Sequence, residues 1–215
     1  MKNGVGVRTY GGFIMNSKEI QGLVTEWYSR PNVFQDNAAT YPKAKDYVDC
    51  KLLNVPKMIT GKNVLNLGCC YPSDEMQFSA TAKSWIAIDI SPQVIEKCKQ
   101  LVQKPNVEFK VGDMTNLEFT NGQFDTVIDF SSGDHLTEEG YKTALKEIYR
   151  VLAKNGTFIV TYANSDSFPD IDHYGDFGYF RSASPATMRK WLVDAGFKLV
   201  TTENQGDRIG LVATK

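Results

Sequence analysis

From Asn63 onward the chain alternates short apolar runs with segments of helical spacing, and its last two runs break that alternation. Strands are expected at Asn63–Leu67, Trp85–Asp89, Val107–Val111, Phe124–Phe130 and Thr157–Tyr162. Helices are expected at about Asp74–Ala82, Pro92–Gln103, Thr137–Ala153 and Pro185–Ala195. The strand runs are continuously apolar, as required when both faces of a sheet are covered. The helical segments space their apolar residues by three and four, as in Val94, Ile95, Cys98, Leu101 and Val102. Alternating strand and helix implies a parallel sheet with helices packed on it. The final runs, Phe197–Glu203 and Ile209–Thr214, are joined only by Asn204-Gln205-Gly206-Asp207. No crossover helix fits there, so the last strand must run antiparallel to its neighbour. The expected fold is α/β: a doubly wound, mostly parallel seven-stranded sheet with a C-terminal antiparallel hairpin and helices on both faces.

With 215 residues, 42% of them hydrophobic, the chain suits one domain spanning residues 1–215. Residues 1–60 read as an N-terminal helical cap and 61–215 as the core. Asn16 with Glu19 resembles a capping box opening a helix to about Tyr28. Pro42 suits the first position of a second helix reaching about Leu53. A net charge of −1 and the absence of a basic tract argue against nucleic acid as partner. No apolar run approaches the roughly 18–20 residues of a membrane span. The segment MKNGVGVRTYGGFIM lacks the apolar core of a secretory signal, so a cytoplasmic protein, monomer or homodimer, is expected. Cys50, Cys69, Cys70 and Cys98 form no C-x-x-C pair. They read as free thiols rather than metal ligands, and no metal is expected.

One stretch carries the functional signal. In NVLNLGCCYP (63–72) a buried strand breaks into a glycine turn. The next strand ends at Asp89, 21 positions after Gly68. A glycine turn lets backbone N–H groups approach a ligand, and an acid at that distance accepts from ribose hydroxyls. With the order of the later segments, this resembles the class I S-adenosylmethionine-dependent methyltransferases, over roughly 41–215. NVLNLGCC resembles the family's first motif, IAIDIS (86–91) its second strand, and VGDMTNL (111–117) the segment bracketing adenine. FDTVIDFSSGDHL (124–136) with LKEIYRVLAKNGTFIVTY (145–162) resembles the fourth strand, its helix and the entry to the fifth strand.

The resemblance implies S-adenosylmethionine as cofactor and S-adenosylhomocysteine as product. Asn66, Gly68 and Cys70 would lie in the cofactor loop, and Asp89 would take the ribose hydroxyls. Asp113 would accept from the adenine amine, with Ile90 and Met114 as apolar plates on the ring. Phe130 and Ser131 would flank the sulfonium, and Tyr41 could touch the cofactor's carboxylate. Gly68 would let the methionine part of the cofactor press on the backbone. The usual acid-x-Gly-x-Gly-x-Gly pattern is altered, since Asn66, Gly68, Cys70 and Pro72 occupy those positions. Cys70 is ill suited to positive φ, and Pro72 lacks an N–H. Asp74 and Glu75 complement the next helix's dipole, though a carboxylate there could instead bind the cofactor's ammonium.

His135 is the candidate general base, with cofactor or substrate contact and a structural role as alternatives. The long segment 163–184 is rich in aromatics and is read as a lid or substrate loop, with Tyr174, Tyr179 and Arg181 as substrate candidates. The implied reaction is methyl transfer to an oxygen or nitrogen of a small-molecule acceptor. The alternatives are a cofactor-binding module without catalysis and an NAD-dependent oxidoreductase. The latter is disfavoured because no G-x-G-x-x-G follows the first strand.

Overall fold

The structure is a computed structural model and describes residues 7–8, 14–15, 17–28, 30, 53–167, 172–175, 178–204 and 206–215. A short antiparallel ribbon, β1 (Val7–Arg8) with β2 (Ile14–Met15), precedes helix α1 (Ser17–Tyr28). Helix α2 (Val55–Ile59), with Pro56 in its first turn, leads into the core. The core then runs β3 (Asn63–Leu67), α3 (Ser73–Phe78), β4 (Ser84–Asp89), α4 (Pro92–Leu101), β5 (Val107–Val111) and β6 (Phe124–Phe130). It continues through α5 (Glu138–Val151), β7 (Leu152–Ala163), β8 (Asp172–Gly175), β9 (Gly178–Arg181), α6 (Pro185–Asp194), β10 (Lys198–Asn204) and β11 (Arg208–Thr214).

Seven strands form one sheet in the order β10-β11-β7-β6-β3-β4-β5. Strands β3 to β7 are mutually parallel, β11 is antiparallel to β7, and β10 is antiparallel to β11. The reversed hairpin read from the four-residue connection is therefore present. Alternating residues face opposite layers. Leu65, Val127 and Phe158 pack with α5 and α6, whereas Val64, Ile128 and Ile159 pack with α2, α3 and α4. Side-chain oxygens cap three helices: Ser91 accepts from Val94 N–H, Thr137 from Gly140 and Ser184 from Thr187.

Three expectations change. The helix expected over 74–82 ends at Phe78 and tightens into a 3-10 turn, Ser79–Thr81. There Ser79 Oγ donates to the Glu75 carbonyl, and Lys104 Nζ caps the Glu75 and Met76 carbonyls at 2.8 and 2.9 Å. Strand β7 begins five residues before Thr157, because Leu152 already pairs with Phe124 across an irregular register. The 163–184 segment is not structureless, since β8 and β9 form a hairpin within it. The helix expected over 42–53 lies almost wholly outside the described residues.

Register is what places the site. Leu67 pairs with Ile88 on one side and Asp129 on the other, and Asp89 pairs with Val111. The glycine turn, Asp89, Asp113 and the end of β6 thus emerge together at the carboxyl edge, where the strand order reverses beside β3.

Candidate functional site

Two positive-φ residues shape the turn after β3, Gly68 (+65°) and Cys70 (+39°). Adding a Cβ to Gly68 would place it 2.2 Å from Ser132 Oγ. Ser132 Oγ in turn donates to the carbonyls of Leu67 (2.9 Å) and Gly68 (3.2 Å). The missing side chain therefore makes room first for Ser132 from the turn after β6. The turn is tied to β4 twice: Cys69 N–H donates to Ile88 O, and Cys70 N–H donates to Asp89 Oδ2 at 3.0 Å. Cys98 Sγ donates to Cys70 O at 3.2 Å. The cysteines at 69, 70 and 98 are free thiols, and a hydrogen bond with Cys98 together with burial pushes the Cys69 thiol up.

Asp89 is 6% exposed. Its Oδ1 accepts from Ser91 N–H at 2.9 Å, and Oδ2 accepts from Cys70 N–H. Burial pushes its pKa up, against the pull of these backbone donors. A carboxylate has about four acceptor sites, more than the backbone N–H groups of Ser91, Cys70 and Ile90 occupy, so capacity remains for a hydroxyl donor.

Beneath the turn lies an acid from the first turn of α3. Glu75 is fully buried, and its Oε1 accepts from Asn66 Nδ2 at 2.7 Å and Trp85 Nε1 at 2.9 Å. Its Oε2 is buried without a hydrogen-bond partner among the described residues. Burial pushes the Glu75 pKa up, against Asn66, Trp85 and Lys104. Burial and the Glu75 charge push Asp74 up to about 8, although part of Asp74 stays open to solvent. A carboxyl absent at position 66 is thus present one contact away, on Glu75.

On the adenine side, Asp113 Oδ1 accepts from Thr115 N–H and Oγ, closing a tight turn at 2.8 and 2.7 Å. Ile90 and Met114 are half-buried beside it. At the end of β6, Phe130 is half-buried and Ser131 has φ +63°. Ser131 is held by Thr161, through N–H to O at 3.0 Å and hydroxyl to hydroxyl at 3.1 Å. Arg208, the first residue of β11, donates to Ser131 Oγ at 2.9 Å and to Asp134 Oδ2 at 2.6 Å. Asp134 is 1% exposed, and its other oxygen accepts from Ala163 N–H. Burial, only partly offset by Arg208, pushes Asp134 up to about 7. Asp129 Oδ1 accepts from Ser132 and Gly133 N–H. Its Oδ2 lies beside Tyr141 without hydrogen-bond geometry to it, and burial pushes Asp129 up to about 6.

His135 sits in the 3-10 turn Gly133–His135. Its Nδ1 lies 2.7 Å from Tyr179 O. A carbonyl only accepts, so Nδ1 carries the proton and Nε2 holds a lone pair in the neutral ring. Burial lowers the His135 pKa, and the Arg208 charge lowers it further. Among the expected substrate residues, Tyr179 is 1% exposed and so packs inward rather than lining an open cleft. Arg181 donates to Glu138 at 2.9 Å and stacks over Trp191 at 5.8 Å. Tyr174 is on β8, in register with Tyr179. Tyr41 lies outside the described residues. Helix α1 packs against β9, so cap and hairpin meet. Among the described residues no group of three or more His, Cys, Asp or Glu could hold a metal, and no helix is long and apolar enough to cross a membrane.

The strand order and the reversed terminal hairpin are those of the class I methyltransferase fold, with Asp89 one strand from the glycine turn. Residues 64–156 match the family model described as a methyltransferase domain. The chain is 28% identical to a Lactococcus lactis demethylmenaquinone methyltransferase over 156 residues, covering 69% of this chain and 60% of that one. Among solved structures, a Pyrococcus horikoshii protein superposes with a TM-score of 0.72 at 21% identity, covering 88% of this chain and 98% of the other. A Burkholderia thailandensis 1,6-didemethyltoxoflavin-N1-methyltransferase, solved with 1,6-didemethyltoxoflavin and S-adenosylhomocysteine, gives 0.68 at 16% identity, covering 96% and 93%. The aligned segments span less than two thirds of the length of the first curated relatives. Over residues 64–156 the chain is thus similar to methyltransferase domains, and its fold is that of S-adenosylmethionine-dependent methyltransferases.

Proposed function

We propose that this chain transfers a methyl group from S-adenosylmethionine to an oxygen or nitrogen of a small-molecule acceptor. The observation that carries the reading is Asp89: a nearly buried carboxylate at the end of β4, clamped to the Gly68–Cys70 turn, with acceptor sites in hand. Asp89 would bind the ribose, the Gly68–Cys70 turn the methionine part, and Ile90, Asp113 and Met114 the adenine. Bound there, the cofactor supplies an electrophilic methyl group, so positioning provides much of the rate. The chain's own part is to orient both reactants, exclude water and take up a proton where the acceptor has one to lose. His135 is the residue suited to that proton, because its ring is held neutral with Nδ1–H on Tyr179 O. A small acceptor is supported by the lack of a basic tract and by the small-molecule methyltransferases among the relatives. The Burkholderia enzyme's name gives a nitrogen acceptor on this fold.

Calorimetry with S-adenosylhomocysteine tests the cofactor reading, with micromolar binding expected and no heat at millimolar ligand refuting it. Turnover on a panel of phenol, carboxylate and amine acceptors, read as S-adenosylhomocysteine released, separates an enzyme from a binding module. His135→Ala that keeps full turnover would remove the imidazole from the mechanism.

A further inference from the structure

The 131–135 turn is held from three directions, and one of its holders comes from the far end of the chain. From β6, Asp129 accepts the Ser132 and Gly133 N–H groups. From β9, Tyr179 O receives His135 Nδ1. From β11, Arg208 reaches both Ser131 and Asp134 through one guanidinium nitrogen. The positive φ at Ser131 disfavours this turn for a residue with a side chain, so the surroundings must fix it.

We propose that Arg208 is the positioning residue of the candidate site: by bridging Ser131 and the buried Asp134 it fixes the turn that presents His135 and keeps a cation beside the imidazole. This rests on the reading of His135 as part of the site. Arg208 touches no reacting atom in this scheme and acts through the turn. The terminal hairpin then does more than close the sheet, since its first residue sets the geometry and the charge of the chemistry-bearing turn. A methionine in its place would leave Asp134 buried without its counter-charge and take the guanidinium donor from Ser131.

Among the described residues, the charged groups that face the turn are Asp134 on the turn itself, Asp129 on β6, Arg208 on β11, and Arg181 of β9 paired with Glu138 of α5. Two of these can be neutralised with opposite consequences for the ring. Removing the Arg208 cation should make His135 easier to protonate. Removing the Asp134 carboxylate while keeping Arg208 should make it harder. A scaffold residue whose loss merely loosened the turn would move the ring one way in both variants, toward its solvent value.

The chain has two histidines, so a His173→Gln background leaves one imidazole to observe by NMR. In that background the ring is expected as the Nδ1–H tautomer with a depressed pKa. Arg208→Met should raise that pKa by about one unit or more, Arg208→Lys should hold it near the parent value, and Asp134→Asn should lower it. Unchanged titration in both Arg208→Met and Asp134→Asn, or shifts of the same sign, would overturn the proposal. Should Arg208→Met not fold, the Asp134→Asn and Arg208→Lys shifts decide alone: a rise on Asp134→Asn, or an Arg208→Lys pKa far from the parent, overturns it. The readout needs no cofactor. Loss of the opposite-sign pattern would therefore leave the cofactor reading standing, whereas failure of the parent to bind S-adenosylhomocysteine would strike that reading alone.

Discussion

Replacing Glu75 by glutamine should stabilise the protein at neutral pH and leave it unchanged in acid. Both side-chain donors to Glu75, from Asn66 and Trp85, land on the same oxygen, Oε1. Glutamine keeps a carbonyl oxygen there. The other oxygen, Oε2, is buried with no hydrogen-bond partner among the described residues, so a charge on it is costly. Glutamine sets an uncharged NH2 in the place of Oε2, so the gain is relief of the buried charge alone, about 1–3 kcal/mol. The sign follows from proton binding. Burial raises the folded-state pKa above the ordinary 4.5, so above that pH the unfolded chain has released a proton that the folded chain still holds. Wild-type stability therefore falls as pH rises out of the ordinary carboxylate range, and the glutamine variant does not share that loss. At an urea m-value of about 2 kcal/mol/M, the midpoint should rise by about 0.5–1.5 M at pH 7.5. The difference should vanish below pH 4.5, where the side chain is protonated in both states. Glu75→Ala behaves oppositely, because it orphans the Asn66 and Trp85 donors and opens a void. About 2–6 kcal/mol of destabilisation is expected from two buried donors left unsatisfied. A Glu75→Gln protein less stable than wild type at pH 7.5, or shifted equally at pH 4.5 and 7.5, would refute the reasoning.

Other perturbations test the neighbouring contacts. Gly68→Ala should cost at least about 2 kcal/mol through positive φ and the Ser132 clash; adding Ser132→Gly should recover part of it in a denaturation double-mutant cycle, and strict additivity would refute the contact. Asp89→Asn should weaken S-adenosylhomocysteine binding by about ten- to a hundred-fold in calorimetry, one or two charge-assisted hydrogen bonds' worth; unchanged affinity would exclude Asp89 from the ribose. Asp129, at about 6 in the folded state against 3.8 ordinarily, should destabilise the protein progressively as pH rises through that interval. The advantage of Asp129→Asn over wild type should accordingly grow between about pH 4 and 6 and then level off; a pH-independent difference would count against it.

Much of the sheet was legible because its strands bury both faces. A continuously apolar run such as Val64-Leu65 or Val127-Ile128 has no polar face to offer water, so β3 and β6 were bounded to the residue; β5, an edge strand of alternating VEFKV pattern, was bounded by its period of two. Asp89 was legible for the same reason, as a charge ending an apolar run. The burial of Glu75 was not legible, because helix position predicts dipole complementarity whereas burial depends on Asn66 and Trp85 reaching the same face from two strands. The β8–β9 pairing was missed although Gly175 and Gly178, where the two strands meet, punctuate the aromatic run. There the loop's polarity outweighed its punctuation.

Arg208 shows why the rest was illegible. In the sequence it is one basic residue opening a strand, 74 positions from Asp134, and nothing local distinguishes it from a solvated surface charge. Topology alone gives it meaning. An antiparallel β11 brings its first residue beside Ala163, the last residue of β7, and so to the same sheet edge as the end of β6. A parallel last strand would place its first residue at the opposite edge, a strand length away from the turn. The four-residue connection that forces β11 to reverse is therefore also what delivers the guanidinium to Ser131 and Asp134. The sequence feature that fixes the sheet's topology and the contact that fixes the candidate site's geometry have one physical cause. Lengthening the hairpin connection should consequently be tolerated, because it alters no pairing. Shifting β11 by two residues against β7 would keep every apolar side chain on its face yet carry Arg208 about 7 Å from the turn, abolishing the low His135 pKa while leaving the sheet intact.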